Sequence, residues 1–101
     1  MSAKLIYTEV VETLQASKVN IRCDTLAEQL ARLGFEVRDG KRGGHKVFFH
    51  DGISTFTSGS YNCGHGRNPE IKPAYIGKVL RILRQYEDEI IDFLERGQNH
   101  D

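Results

Sequence analysis

The apolar residues of this chain change their period twice, and that constrains its fold more than any other feature. From Lys4 to Ser17, Ile6, Val10 and Leu14 recur four apart beside Tyr7 and Val11, with Glu9, Glu12 and Gln15 opposite, which predicts an amphipathic helix. Ser17, Lys18 and Asn20 end it, and the β-prone pair Val19 and Ile21 leads onward. Asp24 suits the N-cap of a second helix, Thr25 with Glu28 offers a capping box one residue later, and Gly34 suits its left-handed C-terminal cap. Leu26, Leu30 and Leu33 give that helix its buried stripe.

After Gly34 the period becomes two. Phe35 and Val37 alternate with Glu36 and Arg38 until Asp39 and Gly40 open a turn. His45 to His50 reads as a second strand, Asp51 and Gly52 as a hairpin turn, and Ile53 to Thr57 as a third strand. Ser58 to Pro73 is a long loop rich in Gly, Ser and Asn. Helical spacing then returns at Pro73 with Ile76, Val79, Leu80 and Leu83 and runs through Ile90, Ile91, Phe93 and Leu94 to a stop at Gly97. One helix, or two broken near Tyr86, would fit.

This order predicts an α+β fold (α-α-β-β-β-α), a small three-stranded antiparallel sheet covered by helices, in a single domain over residues 1–101. The balance of 39% apolar and 28% charged residues is close to ordinary globular values and favours neither a disordered nor a fibrous chain. No apolar run is long enough to span a bilayer and the N-terminus has no signal-peptide pattern, so a cytoplasmic location without membrane contact is expected. Cys23 and Cys63 are too few and too far apart for a disulfide scaffold or zinc knuckle and are expected as reduced thiols. The formal charge of zero hides an asymmetry: residues 87–101 hold six carboxylates against Arg96 alone, so the preceding body is basic.

The most suggestive chemistry lies in Lys41, Arg42, Gly43, Gly44, His45 and Lys46, where a turn gives way to Val47, Phe48 and Phe49. A glycine pair lets a phosphate approach, cations attract it, and an imidazole exchanges protons near neutral pH. RNA cleavage without a metal needs a group to take the 2′-hydroxyl proton, a group to assist the leaving oxygen, and cations on the phosphate. His45 can take the first role or alternate between the first two, with Lys41, Arg42, Lys46 and the Gly43 and Gly44 amides on the phosphate. The plain alternative is that His45 merely begins a strand.

In the long loop, Cys63 and His65 offer metal ligands together with His45 or Cys23, but two ligands are not four, and neither a metal nor another cofactor is expected. The loop reads better as a contact for unpaired nucleotides through Tyr61, Asn62, His65 and Arg67, with His65 a second candidate acid or base. Lys72, Lys78, Arg81 and Arg84 can follow a phosphate backbone or simply form a solvated helix face. His50, beside Asp51 and Gly52, reads as a solvated turn residue.

The capped helix from Asp24 to Leu33, Gly34 and Phe35, the basic turn with glycine and His45 before an aromatic strand, and Lys72 and Pro73 opening a helix with Ile76, Val79, Leu80 and Leu83 together resemble the HicA-type toxins of bacterial toxin–antitoxin pairs. The resemblance covers roughly residues 24–86. It implies a double-stranded-RNA-binding-like fold of helix, three strands and helix, an mRNA-cleaving activity, and a partner antitoxin. The family's catalytic histidine follows a Gly-Ser pair, and His45 is the matching position. Departures are Gly44 in place of the serine, a longer loop after the third strand, an added N-terminal helix in residues 1–22, and the acidic segment 87–101. A non-catalytic RNA-binding module and a partner-binding domain are the competing expectations.

Overall fold

The computed structural model describes residues 2–17 and 20–98. Its order is α1 (Ala3–Ala16), α2 (Cys23–Arg32), β1 (Glu36–Asp39), β2 (His45–Phe49), β3 (Gly59–Asn62), α3 (Pro73–Gln85) and α4 (Glu87–Gln98). The class is α+β, as the two changes of period require. Lys18 and Val19, in the predicted connection after the first helix, lie outside the described residues.

Ser2 starts α1 by accepting a hydrogen bond from Leu5 N–H at 3.1 Å. Val10 and Leu14 are buried as the four-residue spacing predicts, with Tyr7 buried in place of the half-buried Ile6, and α1 packs across α2, α3 and α4. The Tyr7 hydroxyl donates to the Leu83 carbonyl at 3.0 Å. Burial, reinforced by the nearby Glu87 carboxylate, pushes Tyr7 up to about 12. The added helix therefore completes the core. The last helical pattern is two helices, broken at Tyr86, whose hydroxyl donates to the Thr55 carbonyl at 3.3 Å.

The strands pair antiparallel in the order β1-β2-β3. Val37 faces Phe48 and Asp39 faces Lys46 across β1 and β2; Lys46 faces Tyr61 and Phe48 faces Gly59 across β2 and β3. These six residues share one face, on which Phe48 and Tyr61 are buried in the core. Glu36, Arg38, His45, Val47, Phe49, Ser60 and Asn62 occupy the other face, and none of them is buried.

Four expectations are corrected. The third strand is Gly59–Asn62, not Ile53–Thr57. Ile53 and Phe56 are both buried, and an inward pair three residues apart suits turns, not an extended strand. Ile53 N–H accordingly bonds to the His50 carbonyl and Phe56 N–H to the Ile53 carbonyl. The pairing segment moves to Gly59, whose missing side chain leaves room for the Phe48 ring.

His50 is 5% exposed, not a solvated turn residue. Alternation from Lys46 and Phe48 turns it inward, between Phe35 and Phe93 at ring distances of 4.7 and 4.6 Å. Its Nδ1 accepts from Gly52 N–H at 3.1 Å, so the 2.9 Å contact of Nε2 with the Leu33 carbonyl is the donated bond of the neutral tautomer. Both nitrogens are satisfied within the fold.

Asp24 is not the cap of α2. The helix begins at Cys23, and the loop before α3 supplies the capping groups: the Asn68 side-chain oxygen accepts from Asp24 N–H at 2.7 Å and the Pro69 carbonyl from Cys23 N–H at 2.9 Å. At the other end Gly34 takes the predicted left-handed conformation, with φ at 93°.

The fourth correction is the largest. Cys23 and Cys63 are not thiols but a disulfide, with their Cα atoms 5.6 Å apart and both residues buried. Sequence distance gave no hint that β3 ends beside the start of α2. Arg22 strengthens the same seam by pairing with Glu70 at 3.7 Å, while Ile71 N–H donates to the Ile21 carbonyl at 2.8 Å. Closing a loop between residues 40 apart is worth about 4 kcal/mol in the chain-entropy account. The double variant Cys23→Ser, Cys63→Ser should therefore lose about 4 kcal/mol in urea unfolding relative to the oxidised parent, and coincident unfolding midpoints would contradict the bridge.

Candidate functional site

The turn between β1 and β2 is built to present a histidine. His45 N–H bonds to the Arg42 carbonyl at 3.1 Å and Gly40 N–H to the His45 carbonyl at 2.7 Å, closing residues 40–45 into a tight loop. Gly44, at φ 82°, holds the left-handed position within it. A side chain on Gly44 would also run into the Gly64 backbone, because the two segments are joined by a 2.7 Å bond from Cys63 N–H to the Gly44 carbonyl. The His45 ring lies against Gly40, where a Cβ would collide with it. Glycine at 44 brings the backbones together, and glycine at 40 seats the imidazole.

His45 is half-buried in a cleft of about 450 Å³ lined by Gly40, Lys41, Arg42, Val47 and Asn62. Lys41 and Arg42 are exposed at its rim and form no ion pair among the described residues. The amides of Gly43 and Gly44 enter no backbone hydrogen bond among the described residues, which leaves two donors in the turn before His45. Asn62, directly across from His45 in the β2–β3 ladder, turns its side-chain oxygen to Gly64 N–H at 2.8 Å.

Of the residues expected on phosphate, Lys46 does not join the cleft. Alternation along β2 sends it to the opposite face, where its ammonium is bound to Asp39. Lys72 and His65 line a second cleft of about 270 Å³ with Cys63, Gly64, Glu70 and Tyr75. Asn62 also lines it, so the two clefts adjoin at that side chain. Arg67 is exposed in the loop before Asn68. Lys78 and Arg81 border a separate groove on α3 with Pro73, Ala74 and Gly77, and Arg81 and Arg84 line another with Gln15 and Leu80. The expected residues thus divide among the His45 cleft, its neighbour and the α3 surface.

Cys23 and Cys63 are joined to each other, and among the described residues no group of three His, Cys, Asp or Glu is placed to hold a metal ion. No helix among them is long and apolar enough to cross a membrane. Periodicity already held a signal for two further residues of the site face: counting by two from His45 gives Val47 and Phe49. Tyr61, expected to meet nucleotides, is instead 1% exposed with its hydroxyl unpartnered, and burial pushes it up to about 12.

No protein-family model, curated protein or solved structure matches this chain.

The adjoining glycines should respond differently to serine. Gly43 has open space around its Cβ position and should accept serine within about 0.5 kcal/mol. Gly44→Ser should cost about 2 kcal/mol or more from left-handed strain and the clash with Gly64. Thermal unfolding of the two variants checks this, and equal melting of G43S and G44S would refute the geometry of the turn.

Proposed function

We propose that this protein is a metal-independent RNA endonuclease of the toxin–antitoxin kind, with His45 as its general acid and base. The observation that carries the reading is the position of His45: on the sheet face that bears no buried residue, inside a cleft lined by Lys41 and Arg42, with the unbonded Gly43 and Gly44 amides in the turn that leads to it. The resemblance of residues 24–86 to HicA-type toxins supports it, as does the succession α2, β1, β2, β3 and α3, which follows the order of the double-stranded-RNA-binding-like fold.

In this reading the rim cations and the two amides hold a backbone phosphate over the turn. The His45 imidazole removes the 2′-hydroxyl proton, O2′ bonds to phosphorus, and the bond from phosphorus to O5′ breaks. The imidazolium then returns its proton to the departing O5′, leaving a 2′,3′-cyclic phosphate and a 5′-hydroxyl. Lys72 in the second cleft, Lys78 in the α3 groove and the exposed Arg67 contribute further phosphate contacts. A cognate antitoxin would act by covering the His45 cleft.

Gly44 favours a second reading, a module that binds RNA without cutting it, since the serine hydroxyl of the HicA pattern is missing. One substitution separates the two. With a chelator present, the parent should cleave mixed RNA, and His45→Ala should lower the rate by about 100-fold or more at unchanged circular dichroism and melting. Equal cleavage by both proteins would sink the catalytic assignment, and salt-dependent binding without cleavage by either would favour the module.

A further inference from the structure

Along β2, His45, Val47 and Phe49 project from the same open face. At the rise of an antiparallel strand, Phe49 stands about 13 Å from His45, a short stretch of extended single strand away. The Arg38 guanidinium lies 5.6 Å from the centre of the Phe49 ring. Its Nε also donates to the Glu36 carboxylate at 2.7 Å, and that bond holds Glu36 below the usual carboxylate range. Arg38 is thus anchored beside the ring. Val47 belongs to both parts of the face, since it lines the His45 cleft and sits between the two aromatic rings. Across the ladder, Ser60 faces Val47 and Asn62 faces His45, placing hydrogen-bonding side chains along the β3 side.

The geometry points to Phe49, backed by Arg38 and flanked by Val47, as a stacking platform for an unpaired RNA base next to the phosphate held at His45. This rests on the nuclease reading and adds to it how the strand is gripped: by base faces, with no demand for sequence. Three features favour single-stranded RNA as the occupant. The platform runs into the His45 cleft through Val47. Arg38, Lys41 and Arg42 outweigh Glu36 and the nearby Asp51, in keeping with a polyanion. An aromatic ring paired with a guanidinium is the surface on which unstacked bases settle. A protein partner needs a broader apolar area than the half-buried Val47 and Phe49 provide.

The test uses the full chain and two fluorescent ten-residue probes at low salt: 2′-O-methyl oligouridylate, which has no 2′-hydroxyl to attack, and an abasic backbone of equal length. Phe49→Ala should weaken oligouridylate binding by about tenfold, leave abasic binding unchanged, and be rescued by Phe49→Tyr. Equal weakening on both probes would overturn the platform, because it would report disturbed structure and not lost stacking. Unchanged oligouridylate affinity in a Phe49→Ala protein that still shows His45-dependent cleavage would overturn the platform alone and leave the face to a protein partner. Failure of the parent to bind either probe would overturn the nuclease reading and the platform together.

Discussion

The contact on which the site depends is the hydrogen bond from Cys63 N–H to the Gly44 carbonyl, held in register by the disulfide one residue's side chain away. It fastens the turn that presents His45 to the segment leaving β3, and the disulfide fastens that segment to the start of α2. A backbone bond alone is worth on the order of 1 kcal/mol and would open often in an exposed loop. Backed by a covalent link and by the Asn68 and Pro69 caps on α2, it becomes part of the core's own rigidity. Gly44 is glycine because this approach leaves no space for a side chain.

The rest of the molecule keeps one sheet face clear. Every large buried residue of the sheet points to the Phe48 and Tyr61 side, and α1 thickens that side by packing against the other three helices. The acidic α4 closes the far end, where Phe93 rests on His50 and against Gly34 and Gly52. Two of its carboxylates are paired, Asp92 with Arg96 within the helix at 3.2 Å and Glu87 with Lys4 of α1 at 3.9 Å. Exposed pairs of this kind add little stability. Their placement on α4 separates the acidic charge from the basic turn at 41–42 in the fold as in the sequence.

Much of this was legible in the residues. Leucine and isoleucine spacing located the helices, and the switch to alternation after Gly34 located β1 and β2. What periodicity could not supply was tertiary. Cys23 and Cys63 meet only because β3 ends beside α2, and Asn68 caps a helix 44 residues earlier in the chain. Ile53 to Thr57 alternates like a strand but turns, because both Ile53 and Phe56 find places in the core. The same period of two that marks β2 also sends Lys46 and His50 to the covered face and Val47 and Phe49 to the open one. Residue type identified His45 as a candidate; the fold added Gly40 beneath its ring and Asn62 across from it.

In the proposed function the 40–45 turn and the open sheet face together receive RNA. Titrating the isotopically labelled protein with 2′-O-methyl oligouridylate and following its backbone amides by NMR tests this most directly. The largest shifts should fall on Arg38, Gly43, His45, Val47, Phe49 and Asn62. Shifts confined to Lys78, Arg81 and Arg84 on α3, or no shifts at all, would contradict it.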